Sequence, residues 1–114
     1  MPAEAASGGG QGPVCFVVLI RARPGRREEV WAALLDLVPQ VHAEPGCERY
    51  ALHAVDGQDA FVTVERWATA AAAQAHAQSP GVRRYRERIG DLVEPSEIVR
   101  LIPAALGDAA KGSI

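Results

Sequence analysis

Residues 14–22 read VCFVVLIRA. The run is too short for a typical helix, is rich in β-branched residues and is apolar on both faces, the pattern of a central buried strand. Pro24 and Gly25 break the chain after it. Val30, Leu34, Leu37 and Val41 then recur at the spacing of one helical face, widened by Trp31, Leu35 and Val38, which predicts a helix over 26–43. Pro39 falls inside it, where the ring removes a backbone hydrogen bond and crowds the Leu35 carbonyl, so a kink or an early end is expected.

Glu44-Pro45-Gly46-Cys47 stops that helix. Two short runs, 48–55 and 60–67, flank the turn-rich Asp56-Gly57-Gln58-Asp59 and read as a hairpin. In the second run Phe61, Thr63, Glu65 and Trp67 share one face, while Val62, Val64 and Arg66 share the other. Thr69 is placed to cap a helix over 70–78 built on alanine, the best helix former. Ser79-Pro80-Gly81 interrupts it, and a further helical segment sets Tyr85, Ile89 and Leu92 on one face with arginines on the other. The last predicted strand, 94–102, alternates Ile98, Arg100 and Ile102 against Val99 and Leu101. The order β-α-β-β-α-β predicts an α+β, ferredoxin-like domain over 14–103, its helices on one face of a four-stranded antiparallel sheet. The face left bare is apolar, so a homodimer is expected.

Outside the domain, the small polar residues 1–13 predict a disordered arm, and 104–114 a flexible tail. Gly8-Gly9-Gly10-Gln11-Gly12 lacks the strand before it and the helix after it that a phosphate loop needs. A chain of 114 residues forms one domain with a true core. Its net charge of -2, with Glu87 interrupting Arg83, Arg84, Arg86 and Arg88, gives no phosphate-tracking stripe, and no nucleic acid partner is expected. Cys15 and Cys47 form neither a CxxC pair nor a secreted framework, which points to free thiols in a reducing cytoplasm. No leader pattern and no run of roughly 18 apolar residues occurs, so a soluble cytoplasmic protein away from membranes is expected. The three histidines and two cysteines show no metal-ligand spacing, and no metal is expected.

Pro24-Gly25, Glu44-Pro45-Gly46-Cys47 leading to Tyr50, Phe61 with Glu65 and Trp67, then His76 and Ser79-Pro80 together resemble the antibiotic biosynthesis monooxygenase domain, including quinol monooxygenases. The likeness spans about residues 14–102. It implies a dimeric α+β barrel with a pocket between sheet and helices in each subunit. In some members it also implies oxidation of hydroquinones or anthrone-like polyketide intermediates by dioxygen without flavin, haem or metal. Other members isomerise or rearrange small enolisable compounds. The loop that often reads Ser-Pro-His in relatives is Ser79-Pro80-Gly81 here, so a second histidine is missing. Haem-degrading relatives pair a helix histidine with an asparagine on the first strand, and this chain has no asparagine.

A phenol loses its proton at about pH 10 in water, so a base that removes it at neutral pH exposes an anion able to reduce dioxygen. Imidazole suits that step. A histidine on an alanine helix is ordinarily a surface or half-buried residue, and it is the resemblance that assigns His76 as the base. Trp67 is assigned to the pocket wall, where an aromatic face stacks a ring and excludes water, against the ordinary reading of core packing. Phe61, Glu65, Tyr50 and Tyr85 are assigned to substrate binding. The expected partner of Glu65 is Arg86 or Arg49, the alternative being to orient a substrate hydroxyl or His76. The tyrosines would offer hydroxyls to a quinone carbonyl, and His42 and His53 are expected at the surface. A helix rises about 1.5 Å per residue, which puts His76 roughly 10 Å beyond Thr69. Trp67 and His76 are therefore expected to meet a ligand from opposite ends without touching. The reading is a cofactor-independent monooxygenase of an aromatic substrate. An isomerase or cyclase that keeps the base without oxygen, and a non-catalytic dimer that binds a small ligand, are the alternatives.

Overall fold

β1 (Val14–Arg21) lies inside the sheet, flanked on both sides, as a strand apolar on both faces requires. The computed structural model describes residues 12–104 and 106–114. Residues 1–11 of the predicted arm therefore lie outside the described residues. α1 (Arg27–His42) follows the tight turn at Gly25 and buries Val30, Ala33, Leu34, Leu37 and Val41. The early end expected at Pro39 does not occur, because the ring forfeits only its own N–H bond, and buried Leu37 and Val41 on either side hold the last turn in the core.

β2 (Cys47–Ala54) and β3 (Ala60–Trp67) form the predicted hairpin, with Gly57 at φ 73° in the turn. α2 (Ala70–Ala77) starts at Thr69, whose hydroxyl accepts the Ala72 N–H at 3.0 Å. α3 (Pro80–Ile89) starts at Ser79, whose hydroxyl accepts the Val82 N–H at 3.2 Å. In both, a side-chain oxygen satisfies a donor that the first helical turn leaves open. β4 (Glu97–Leu101) is shorter than the predicted 94–102. Pro95 has no N–H to give the ladder, and the contact of the preceding residues with the sheet is an isolated bridge between Ala22 and Val93.

The sheet order is β2-β3-β1-β4 with every neighbouring pair antiparallel, Val17 facing Val64 on one side and Val99 on the other. This is the ferredoxin-like α+β arrangement. The helices pack on the face that carries Val14, Ile20, Phe61 and Trp67, in two clusters: one centres on Leu37, Val41, Tyr50, Trp67 and Val82, the other on Ile20, Val30, Leu34 and Phe61. Val17, Leu19, Val62 and Val64 on the opposite face are partly exposed, and Val99 is 51% exposed. Beyond β4, residues 106–114 form no helix or strand; the Asp108 carboxylate accepts N–H groups from Ala110 and Lys111, and Arg66 donates to the Ile114 carbonyl.

The loop between α1 and β2 comes unusually close to α2. Gly46 has φ 81°, and a Cβ built there would lie 2.5 Å from the Cβ of Ala72. The Gly46 carbonyl accepts the Ala68 N–H at 2.8 Å. Gly46→Ala therefore combines a left-handed backbone that L-residues resist with overpacking against a helix. It should destabilise the fold by about 2–4 kcal/mol, read as a lower urea midpoint with an unchanged m-value.

Candidate functional site

A cavity of ≈ 710 Å³ lies between the helix-bearing face of the sheet and α2 and α3, within the usual range for small-molecule sites. Val14, Phe16 and Val18 of β1, Tyr50 of β2, Thr63, Glu65 and Trp67 of β3, His76 of α2 and Tyr85 of α3 line it. Exposed Arg23, Arg86, Ile98 and Arg100 form its rim.

Trp67 is completely buried and Glu65 is 5% exposed. The indole N–H of Trp67 donates to Glu65 Oε1 at 3.0 Å, and the Thr63 hydroxyl donates to Oε2 at 2.7 Å. Two residues apart on one strand face, these three side chains stand side by side, which is how a carboxylate enters this core with both oxygens partnered. The arginine expected for Glu65 is absent: neither Arg86 nor Arg49 pairs with it. Arg49 is paired in register with Arg66, away from Glu65, and Arg86 donates to the Ala77 carbonyl at 2.9 Å.

The expectation that Trp67 and His76 do not touch is also overturned. Their rings stack with centroids 4.4 Å apart and planes inclined at 29°. Rise along a helix measures distance only along its axis, and α2 turns back over the end of β3 instead of continuing its line. His76 Nδ1 lies 2.8 Å from Glu44 Oε1, the two side chains being 13% and 18% exposed. An ionised carboxylate only accepts, so the proton of this bond sits on Nδ1 and the neutral ring keeps its lone pair on Nε2. No hydrogen bond from a described residue engages Nε2. Tyr50 meets the imidazole edge-on with centroids 5.5 Å apart. The carboxylate of Glu44 escaped the sequence reading, which took its tetrapeptide as a helix stop and a family feature. His76 is 32 positions away, and the signal that would have found it is the pairing of that loop with a helix too small-sided to hold it off.

Phe61 does not line the cavity. It is fully buried at the other end of β3, stacked on Trp31 with centroids 5.1 Å apart and with the Arg27 guanidinium 5.3 Å from its ring centre. Sharing a strand face with Trp67 is not sharing a place, because six residues of strand span about 20 Å. His42 and His53 are exposed; each ring donates to a β2 carbonyl, that of Tyr50 at 2.9 Å and that of Ala51 at 3.2 Å.

Burial pushes the Tyr50 phenol well above its ordinary range, with the nearby Glu65 charge adding to it. Burial likewise raises Tyr85, against a smaller opposing effect of Arg86. The Tyr85 hydroxyl is buried without a hydrogen-bond partner. Burial raises the Cys47 thiol too, followed by the charges of Glu44 and Glu65, so it is held protonated. Among the described residues no three His, Cys, Asp or Glu side chains converge as metal ligands, and no helix is long and apolar enough to cross a membrane.

The antibiotic biosynthesis monooxygenase family matches residues 13–88 of the chain. The Escherichia coli protein named "Probable quinol monooxygenase YgiN" is 35% identical over 88 residues, covering 66% of this chain and 84% of that protein. The Synechocystis protein sll1783 is 29% identical over 92 residues, and the match spans 63% of its length. Among solved structures, Rv0793 from Mycobacterium tuberculosis superposes with a TM-score of 0.76 at 29% identity, covering 86% of this chain and 99% of that one.

The two raised phenols predict alkaline behaviour. Both belong to the folded state, so the unfolded chain releases its tyrosine protons first, at about pH 10. The stability they contribute is complete below that pH and is lost as pH rises above it. The chain has two tyrosines, so tyrosinate absorbance should appear together with loss of circular dichroism in an alkaline titration. Ionisation of both in the still-folded protein would contradict the burial seen here.

Proposed function

We propose that this chain, which belongs to the antibiotic biosynthesis monooxygenase family, oxidises a hydroquinone or anthrone-type aromatic with dioxygen, without flavin, haem or metal, and that His76 is its base. The observation that carries this reading is the imidazole held between Glu44 at 2.8 Å and the face of Trp67 at 4.4 Å, on the wall of a cavity large enough for fused rings. The relative named a quinol monooxygenase is in keeping with a hydroquinone substrate.

In this reading Nε2 of His76 takes the proton of a substrate hydroxyl while Glu44 keeps the ring in one tautomer and orientation. Removing that proton leaves an electron-rich anion, and Trp67, Phe16 and Val18 keep water from it. The anion passes one electron to dioxygen, giving an aryloxyl radical and superoxide, which join at a ring carbon as a peroxide anion, and the proton held on His76 returns to it to give the hydroperoxide. Loss of water from the resulting hydroperoxide leaves a carbonyl, so one oxygen atom enters the product and the other leaves as water. Glu65 acts through Trp67 as a positioning residue, and the protonated Tyr50 phenol is the donor for the second substrate oxygen. The partly exposed Val17, Leu19, Val62 and Val64 support a homodimer through the open sheet face.

Metal-free protein should consume dioxygen with a naphthohydroquinone or an anthrone. His76→Ala should lower kcat by about 100-fold or more, the usual contribution of a positioned base. Glu44→Ala should lower it by about 10-fold, with Glu44→Gln retaining part of the rate because it still offers an acceptor to Nδ1–H. Unchanged uptake in His76→Ala would reject the base, and product formed at the same rate without oxygen would select the isomerase reading.

A further inference from the structure

The carboxylates that line the cavity are already engaged, Glu65 by Trp67 and Thr63 and Glu94 by Arg23, and Glu44, outside the lining, is taken up by His76. At the rim the balance differs. Five arginines take carboxylate partners among the described residues, but Arg86 does not. Its Nη1 donates to the carbonyl of Ala77, the residue after His76, at 2.9 Å. That single bond tethers a guanidinium with five N–H donors and leaves the others unmatched. In a chain whose net charge is -2, an unmatched cation on a cavity rim is not a by-product of general basicity.

A second, independent feature stands beside it. The Tyr85 hydroxyl is buried with no acceptor, which costs the empty protein the desolvation of that group. Tyr85 and Arg86, consecutive on α3, both line the cavity, so the hydroxyl and the guanidinium border one space. An orphan donor beside an unmatched cation is the arrangement a carboxylate completes, accepting from both while its oxygens offer nothing that needs a further acceptor.

We infer that Arg86 and Tyr85 form a carboxylate subsite, and that the ligand of this cavity is an aromatic acid whose ring fills the apolar interior while its carboxylate sits at Arg86. The inference rests on the proposed reading only in taking this cavity as the ligand site. The same pair would also suit an oxyanion formed during turnover, and the test separates the two.

Calorimetric titration of the full chain with 2-naphthoate and with 2-naphthalenemethanol compares an acid with a neutral ligand of similar shape, neither being a substrate for the proposed oxidation. The acid should bind about 10-fold tighter or more, the usual gain of a charge-assisted contact. Arg86→Gln should abolish the preference while leaving the affinity for the alcohol, and Arg83→Gln on the same helix should keep it. Tyr85→Phe should weaken the acid and raise the melting temperature of the empty protein, since it deletes the orphan hydroxyl. Equal affinities in the unsubstituted protein, no binding of either ligand, or a preference that survives Arg86→Gln would each overturn the subsite. Equal affinities together with slower dioxygen uptake in Arg86→Gln would assign the pair to an anion formed in turnover and likewise overturn it. Because binding is read without turnover, loss of the subsite leaves the oxygenase reading standing, and an inactive protein that prefers the acid leaves the subsite standing.

Discussion

Everything in the site hangs on how closely the loop before β2 approaches α2. A left-handed glycine at 46 and an alanine at 72 meet where a side chain on the glycine would collide at 2.5 Å. Two residues before Gly46 is Glu44, and one turn beyond Ala72 is His76, so the close approach sets the carboxylate against the imidazole. The same approach brings α2 down over the end of β3, where the indole of Trp67 becomes the surface on which the imidazole lies. The alanine run is therefore more than a good helix former. It lets the helix sit low enough for a long-range pair and a ring stack to form together.

The order of elements was legible because it depends on local rules. Thr69 announced its helix through capping chemistry, Ser79-Pro80-Gly81 marked the break between two helical segments, and the alternation in 60–67 assigned each residue to a face. What those rules omit is the angle at which one element returns over another. His76 looked remote from Trp67 because helical rise counts distance along one axis, while the turn at Ala68 and Thr69 reverses the path. Phe61 looked like a neighbour of Trp67 because a period of two reports the face and says nothing of the distance along it. Glu65 looked short of a cation because a buried carboxylate usually takes one. Its own strand neighbours supplied two donors instead, and this follows from the spacing of Thr63, Glu65 and Trp67 once the face is known to be buried.

The way polar atoms are committed decides what this cavity is able to recognise. Each oxygen of Glu65 already has a donor, and the pair of bonds holds the indole at one angle. Glu44 is spent on Nδ1, and in the proposed reaction this leaves the other nitrogen of His76 for a hydroxyl proton. When the imidazole takes that proton it meets a carboxylate and an aromatic face already in place, so the transfer does not create an isolated buried cation. The anion left on the substrate has the opposite problem, because both interior carboxylates repel it. In the proposed reaction the phenol of Tyr50, kept protonated by burial, is the donor that offsets that repulsion, and Arg86 at the rim, free of any carboxylate among the described residues, is left for the carboxylate of the ligand.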